Sequence, residues 1–149
     1  MTIAYVCSPF RSTEKQSKET HIQYAKLCLL DAIMSRSARN GHFSPICTHL
    51  LYPQVLNDDD MSDRAVAKLM CRRLLNHARV LMVYTDYGVS KGMMDEIAIF
   101  SALNDRNIIF CNLEERYDLK ALVKLECPSA MEMENVRYST DEEPMGTHD

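Results

Sequence analysis

The sequence has no tryptophan, only four glycines and no cysteine pair with two-residue spacing. The six cysteines are scattered, a spacing that fits neither a zinc site nor a disulfide framework, so we expect reduced and mostly buried thiols. Neither a Walker A sequence nor a Gly-x-Gly-x-x-Gly sequence is present. Their absence argues against an ATPase and against classical dinucleotide binding. We predict no metal and no cofactor.

Long apolar runs and long basic runs are also missing. No stretch approaches the roughly 20 apolar residues of a membrane span, and the start of the chain lacks the pattern of a signal peptide. We therefore expect a cytoplasmic protein with no membrane partner. The net charge is −4 without a Lys/Arg cluster, which makes nucleic acid a poor candidate partner. The acidic run at 58–60 could attract a divalent ion, but a solvated loop is the favoured interpretation.

The chain contains 149 residues, of which 46% are hydrophobic, enough for the core of one domain. Apolar and β-branched runs predict strands at 2–6, 42–47, 79–84 and 107–111. Helical periodicity predicts helices at 62–77, 92–103 and 114–125, and Thr13 with Gln16 predicts a capping box that opens a first helix reaching about Arg39.

The alternation of strands and helices predicts a single-domain α/β fold of flavodoxin or Rossmann type, a parallel sheet with helices on both faces. We assign residues 1–127 to this domain. Residues 128–149 carry six acids against one arginine, without periodicity. We expect this acidic C-terminal tail to be extended or disordered.

In parallel sheets ligands bind outside the carboxyl ends of the strands, so segments 7–11, 47–52 and 85–96 should face one site. The first contains Ser8-Pro9-Phe10-Arg11, and an arginine at a strand-to-helix turn can grip a phosphate. An ordinary surface turn with a solvated arginine explains it equally well. His49 in the second segment could line the same mouth, although a lone histidine is more often structural.

Segment 85–96 holds two of the four glycines, which let a backbone approach a ligand closely. Ser90 offers a hydroxyl to a phosphate or ribose. Glu96 falls in the first turns of the following helix, where the helix dipole should favour its ionised form. The alternative is a plain helix cap followed by favourably placed acids.

Together, residues 5–11 (Tyr-Val-Cys-Ser-Pro-Phe-Arg) and 90–96 (Ser-Lys-Gly-Met-Met-Asp-Glu) resemble two motifs of the nucleoside 2-deoxyribosyltransferase-like superfamily. The resemblance covers roughly residues 2–112. It is greatest to an uncharacterised phage and bacterial branch with a Ser-Gly-Met signature. It implies cleavage of the base–sugar bond of a nucleotide or nucleoside, without a cofactor.

By this resemblance Glu96 is the nucleophile and Tyr5 orients its carboxylate. Ser8, Arg11 and Ser90 would hold a 5′-phosphate. The full set expected to contact substrate is Ser8, Pro9, Phe10, Arg11, His49, Ser90, Gly92 and Met93. Phe10 would stack on the base, and Gly92 would admit the phosphate. Related enzymes also complete their sites with a neighbouring subunit, which implies a homo-oligomer.

One departure concerns an acid that related enzymes carry on the helix before the third strand. That position falls near Cys71 here, and the nearest acid on the helix is Asp63. Asp86 is our candidate substitute, which makes it the third predicted catalytic residue. Two functions therefore stay open: an N-glycosidase or deoxyribosyltransferase, and a non-catalytic nucleotide binder such as a phage protein that sequesters a signalling nucleotide. A flavodoxin-like domain with an unrelated ligand is a third.

Overall fold

A computed structural model describes residues 2–126 and 128–138. Its centre is a sheet of four parallel strands, as the alternation of elements predicted. The strands are β1 (Ile3–Cys7), β2 (Ser44–Ile46), β3 (Val80–Tyr84) and β4 (Asn107–Cys111). Their order across the sheet is β2-β1-β3-β4, so the two central strands are the most strongly apolar ones. Continuous apolar runs are typical of parallel strands that are covered on both faces.

The register of the sheet aligns the carboxyl ends of its strands. Tyr5 pairs with Ile46 of β2, and Cys7 pairs with Val83 of β3. The residues that directly follow β1, β2 and β3 therefore meet at one edge of the sheet. This edge is where the predicted site segments lie.

Helices cover both faces, which confirms the predicted α/β architecture. They are α1 (Lys18–Met34), α2 (Arg36–Arg39), α3 (Met61–His77), α4 (Lys91–Ser101), α5 (Leu119–Leu122) and α6 (Ala130–Asn135). One core layer joins the sheet to α1, α5 and α6. The other joins it to α3 and α4 through Leu75, Met93 and Phe100. No helix within the described residues is long and apolar enough to span a membrane.

The first helix differs from the prediction at both ends. The Thr13 hydroxyl does accept from the Gln16 amide at 3.0 Å, but it closes an isolated turn. Ser17 is the residue that caps α1, because its side chain accepts from the Thr20 amide. The helix then stops at Ser35, whose extended backbone interrupts it before α2 begins. Local capping patterns occur at both positions, and only packing selects between them.

The C-terminal part also differs from the prediction. Instead of a helix over 114–125, a 3-10 turn at Leu113–Glu115 is followed by the short helix α5. Part of the tail that we expected to be extended forms α6, which buries Met133 completely. An isolated antiparallel bridge joins Tyr117 to Arg137. Residues 139–149 of the predicted tail lie outside the described residues.

The connection that follows β2 contains two 3-10 helices, Thr48–Leu50 and Tyr52–Gln54. The cysteines within the described residues are all free thiols. Four of them are buried, and Cys71 is half-buried. Cys127 lies outside the described residues.

Candidate active site

Glu96 lies in the second turn of α4, and its side chain points back toward β1. Its Oε2 atom is buried without a hydrogen-bond partner. Burial raises the pKa of Glu96 to about 7, against the opposing effect of a hydrogen bond with Tyr5. The helix dipole was expected to favour the ionised form, but burial outweighs it. Near neutral pH the carboxyl group is therefore divided between its two protonation states.

Tyr5 connects Glu96 to the end of β2. Its hydroxyl oxygen is 2.8 Å from the Thr48 hydroxyl, and both residues are almost fully buried. Burial raises the pKa of Tyr5 far above its usual range, and the neighbouring Glu96 adds to this effect. The phenol therefore remains a proton donor. Sequence reasoning missed Thr48, although a polar residue directly after a strand at the ligand-binding edge was an available signal.

The charge of Glu96 acts on three thiols of this region, those of Cys7, Cys47 and Cys71. Burial raises the pKa of the Cys47 thiol to about 12 and raises the pKa of Cys7 as well. Burial also raises the pKa of Cys71, which lies in hydrogen-bonding reach of Thr48 and Tyr5. Because these buried thiols stay neutral, they solvate the charge of Glu96 poorly. No group of His, Cys, Asp and Glu suited to a metal ion occurs among the described residues.

The turn after β1 brings a second orphaned polar atom to this edge. Ser8 and Pro9 are buried. The Ser8 hydroxyl has no hydrogen-bond partner at ordinary distance among the atoms described, although it lies close enough to the Cys47 thiol to lower the pKa of that thiol. A buried hydroxyl without a partner is unfavourable and often marks a position that a ligand or water satisfies.

Phe10 and His49 form an aromatic pair beside this turn. Their ring centroids are 5.1 Å apart, and the Lys18 ammonium lies 5.0 Å from the Phe10 centroid. Burial lowers the pKa of His49 to about 4, and its Nδ1 atom is buried without a partner. His49 is therefore a neutral imidazole that can form a hydrogen bond but carries no charge at neutral pH.

A second buried histidine stands next to this pair and was not predicted. The Nδ1 atom of His21 lies 2.7 Å from the Arg11 carbonyl oxygen, and its Nε2 atom has no partner. Its position on α1 among apolar residues gave no sequence signal, because a lone buried histidine in a helix is usually structural.

The Arg11 side chain is 57% exposed and forms an ion pair with Asp58, with 3.6 Å between Nε and Oδ2. This contact links the turn after β1 to the acidic run at 58–60. An exposed ion pair contributes little to stability, so a bound anion can compete with Asp58 for the Arg11 guanidinium.

The amino end of α4 contains the remaining predicted contacts. The Ser90 hydroxyl accepts from the Met93 amide at 3.2 Å and so caps the helix. A side chain at Gly92 would meet only the Ser90 hydroxyl, at 4.0 Å, so the space above the helix end is open. Met93 itself is buried in the core, and its sulfur accepts from the Ser90 amide. Of these three residues, Gly92 is exposed, Ser90 is half-buried and Met93 is buried.

Asp86 and Asp63, the two acids considered as substitutes for an acid at Cys71, are both engaged elsewhere. Asp86 accepts from the Tyr24 hydroxyl and from the amides of Leu113 and Glu114. Asp63, in the first turn of α3, accepts from the Asn57 amide. The structure thus brings Tyr5, Ser8, Ser90 and Glu96 to one edge, and Asp86 lies beside them with its carboxylate held by these three donors.

Comparison with known proteins identifies a family without assigning an activity. A family profile described as "Domain of unknown function (DUF7768)" matches residues 2–109. The chain belongs to this family. No protein with a curated description matches it.

Proposed function

We propose that this member of the DUF7768 family is an N-glycosidase or deoxyribosyltransferase that cleaves the base–sugar bond of a nucleotide or nucleoside. The observation that carries the proposal is the Glu96 carboxyl group. Glu96 is half-buried, its Oε2 atom is fully buried without a partner, and the Tyr5 hydroxyl lies within hydrogen-bonding reach of its carboxyl group. Structural acids are normally satisfied by the protein, whereas this acid is left to be satisfied by something that binds.

The proposed chemistry uses the ionised form of Glu96. As the bond from the anomeric carbon to the base nitrogen breaks, its electron pair leaves with the base and positive charge develops on the sugar. The Glu96 carboxylate stabilises this charge and forms a glycosyl ester. Water or a second base then attacks the anomeric carbon, and the ester bond breaks with its electron pair returning to the Glu96 carboxylate. The proton released by the attacking water or base balances the proton that the departed base takes up.

Tyr5 holds the reacting carboxylate in place. Because its phenol stays protonated, it donates to one Glu96 oxygen and leaves the other free to approach the sugar. Since the pKa of Glu96 is about 7, the reactive form increases as the pH rises through neutrality.

The surroundings of Glu96 support a nucleotide as the ligand. Three groups offer donors to a phosphate: the Ser8 hydroxyl, the open amino end of α4 above Gly92 and the exposed Arg11 guanidinium. The rings of Phe10 and His49 offer a surface for a base. Both groups lie at the same edge of the sheet as Glu96.

A second candidate function is nucleotide binding without turnover. It is favoured by Cys71, which lies where related enzymes carry an acid. Among the described residues, the acid whose charge acts on Glu96 is Asp95 of the same helix. Asp86, the proposed substitute, is held by three donors. General acid–base help contributes about 10²–10⁴ in rate. We therefore expect slow or narrow glycosidase activity beside clear nucleotide binding.

We also propose a cytoplasmic homo-oligomer whose copies complete one another's sites. The outward face of α3 carries Val66 and Leu69, each nearly half exposed, and offers an apolar contact for a second copy. Sedimentation velocity of the full chain tests this proposal, and a monomer at micromolar concentration would contradict it.

The test of the main proposal is incubation with a panel of nucleosides and nucleoside monophosphates, with free base read by chromatography. Calorimetry on the same samples reports binding. Glu96→Gln should bind ligand but release no base. The matched change Glu132→Gln, at an exposed position of α6, should behave as wild type. Tight binding with the ligand recovered unchanged would reject the enzyme and support the binder.

A further inference from the structure

We infer that Thr48 is a positioning residue of this site: its hydroxyl donates to the Tyr5 hydroxyl and thereby turns the Tyr5 proton toward Glu96. The inference rests on the proposed function, because it assigns the control of the proposed nucleophile to a residue on another element. Neither motif near Glu96 contains Thr48.

The geometry begins with the 2.8 Å contact between the two hydroxyl oxygens, either of which can donate. Thr48 and Tyr5 are each 1% exposed, so water is not available to replace this bond. A phenol has one proton. If Tyr5 donated to Thr48, the buried Glu96 carboxylate would lose its donor, so the ionised site requires the opposite direction.

Thr48 can hold this direction because of where the fold places it. It is the first residue of the 3-10 turn that follows β2, and Cys47 before it is in extended conformation. Tyr5 and Ile46 are register partners, so the Tyr5 side chain stands beside the end of β2. The pairing of the two strands thus fixes the distance between the hydroxyls.

Other titratable groups also act on Glu96 or on Tyr5, and one of them can accept the Tyr5 proton in place of Glu96. The titratable groups that act on it or on its partner are Tyr5 and Cys7 of β1, Cys47 after β2, Cys71 of α3 and Asp95 of α4. Cys71 is within hydrogen-bonding reach of both Thr48 and Tyr5. Without Thr48 the Tyr5 proton can turn to the Cys71 sulfur, and Glu96 then takes up a proton more readily.

The experiment measures the Glu96 pKa directly, by carbon-13 NMR titration of the glutamate side-chain carboxyl groups. Its resonance is identified by its loss in Glu96→Gln. Thr48→Val should raise the Glu96 pKa by about half to one pH unit, the equivalent of one ordinary hydrogen bond. Thr48→Ser should restore the wild-type value. Thr85→Val is the matched control, since its hydroxyl donates to the Cys111 carbonyl on the same sheet edge and should leave Glu96 unchanged.

A double-mutant comparison separates positioning from general disruption. In a Tyr5→Phe background, Thr48→Val should have no further effect on the Glu96 pKa, because Thr48 acts only through Tyr5. An equal shift in both backgrounds, or an unchanged Glu96 titration in folded Thr48→Val, overturns the inference. Thr48→Ala removes the same hydroxyl and replaces the valine variant should that variant not fold.

The titration does not depend on turnover, so the two proposals fail separately. A shifted Glu96 pKa without base release from any substrate counts against the N-glycosidase and supports the role of Thr48. Base release whose pH profile is the same in wild type and Thr48→Val counts against Thr48 alone. If both hold, the acid limb of the kcat profile moves to higher pH in Thr48→Val while KM is retained.

Discussion

The Tyr24 hydroxyl donates to the Asp86 carboxylate and accepts from the Asp86 amide at 3.0 Å. The two residues thus hold α1 against the segment that follows β3. The same carboxylate accepts from the amides of Leu113 and Glu114, so it also fixes the turn after β4. Three elements of the ligand-binding edge therefore depend on one acid.

Asp86→Ala should lower the free energy of unfolding by about 3 kcal/mol, because it leaves partly buried donors without an acceptor. Urea denaturation of the full chain measures this loss. The exposed Asp59 provides the control, and Asp59→Ala should stay within about 0.5 kcal/mol of wild type. A folded Asp86→Ala protein of normal stability but without base release would instead indicate a direct catalytic role.

The pKa of Glu96 predicts how stability depends on pH. The unfolded carboxyl group has its ordinary pKa near 4.5, and burial raises the pKa of the folded one to about 7. Between these values the folded state retains a proton that the unfolded state has lost, so stability decreases as the pH rises. The expected loss between pH 4.5 and pH 8 is on the order of 2–3 kcal/mol.

This effect is measured as the difference between wild type and Glu96→Gln, since other groups titrate equally in both proteins. The difference should be small at pH 4.5 and grow in favour of the glutamine variant toward pH 8. Glu14→Gln, at an exposed position before α1, should show no such trend. A constant difference across this range would contradict the burial of the Glu96 carboxylate.

Arg11 and its partner Asp58 should affect phosphate binding in opposite directions. Arg11→Ala should weaken nucleoside monophosphates by about tenfold and leave nucleosides nearly unchanged, because it removes one charge-assisted contact. Asp58→Asn frees the guanidinium and should strengthen monophosphate binding by up to about fivefold. Calorimetry with matched nucleoside and monophosphate pairs decides. Equal weakening of both ligands by Arg11→Ala would show that Arg11 contacts another part of the ligand.

A buried polar cluster on the opposite core layer should dominate stability. Asp31 of α1 is 5% exposed and accepts from Tyr84 at 2.7 Å and from Tyr117 at 3.2 Å, with Arg116 as its ion-pair partner. Asp31→Ala leaves these groups unpartnered and should cost about 3–5 kcal/mol. Thermal and urea unfolding measure this cost, with Glu19→Ala on the exposed face of α1 as control. A loss below about 1 kcal/mol would mean that water replaces the carboxylate.

The elements that were predicted correctly are those whose signal is local. The apolar runs of β3 and β4 form strands within a residue of the predicted limits. Ser90 caps α4, as the alternative interpretation of this segment predicted, and the helix covers Lys91–Ser101, close to the predicted 92–103. In these segments neighbouring residues alone specify the backbone, and burial on both faces of the sheet follows from composition.

Where two local patterns competed, nothing in the sequence distinguished the correct one. Thr13 and Ser17 both precede a helical pattern, yet only Ser17 caps α1. A periodic stretch after β4 became a turn and a short helix, because Tyr117 and Met133 are drawn into the core by contacts with distant elements. The free energy of such burial exceeds the small preferences that capping and periodicity express.

The sequence by itself therefore determined a parallel α/β sheet and the helix that carries Glu96, because hydrophobic periodicity and capping act between neighbours. Tertiary structure decided the chemical state of the site. This state depends on residues that are 43 or more positions apart in the chain: Tyr5 beside Glu96, Tyr5 beside Thr48, and Tyr24 beside Asp86. Desolvation and hydrogen bonding depend on which distant atoms surround a group, and a spacing pattern contains no information about those atoms.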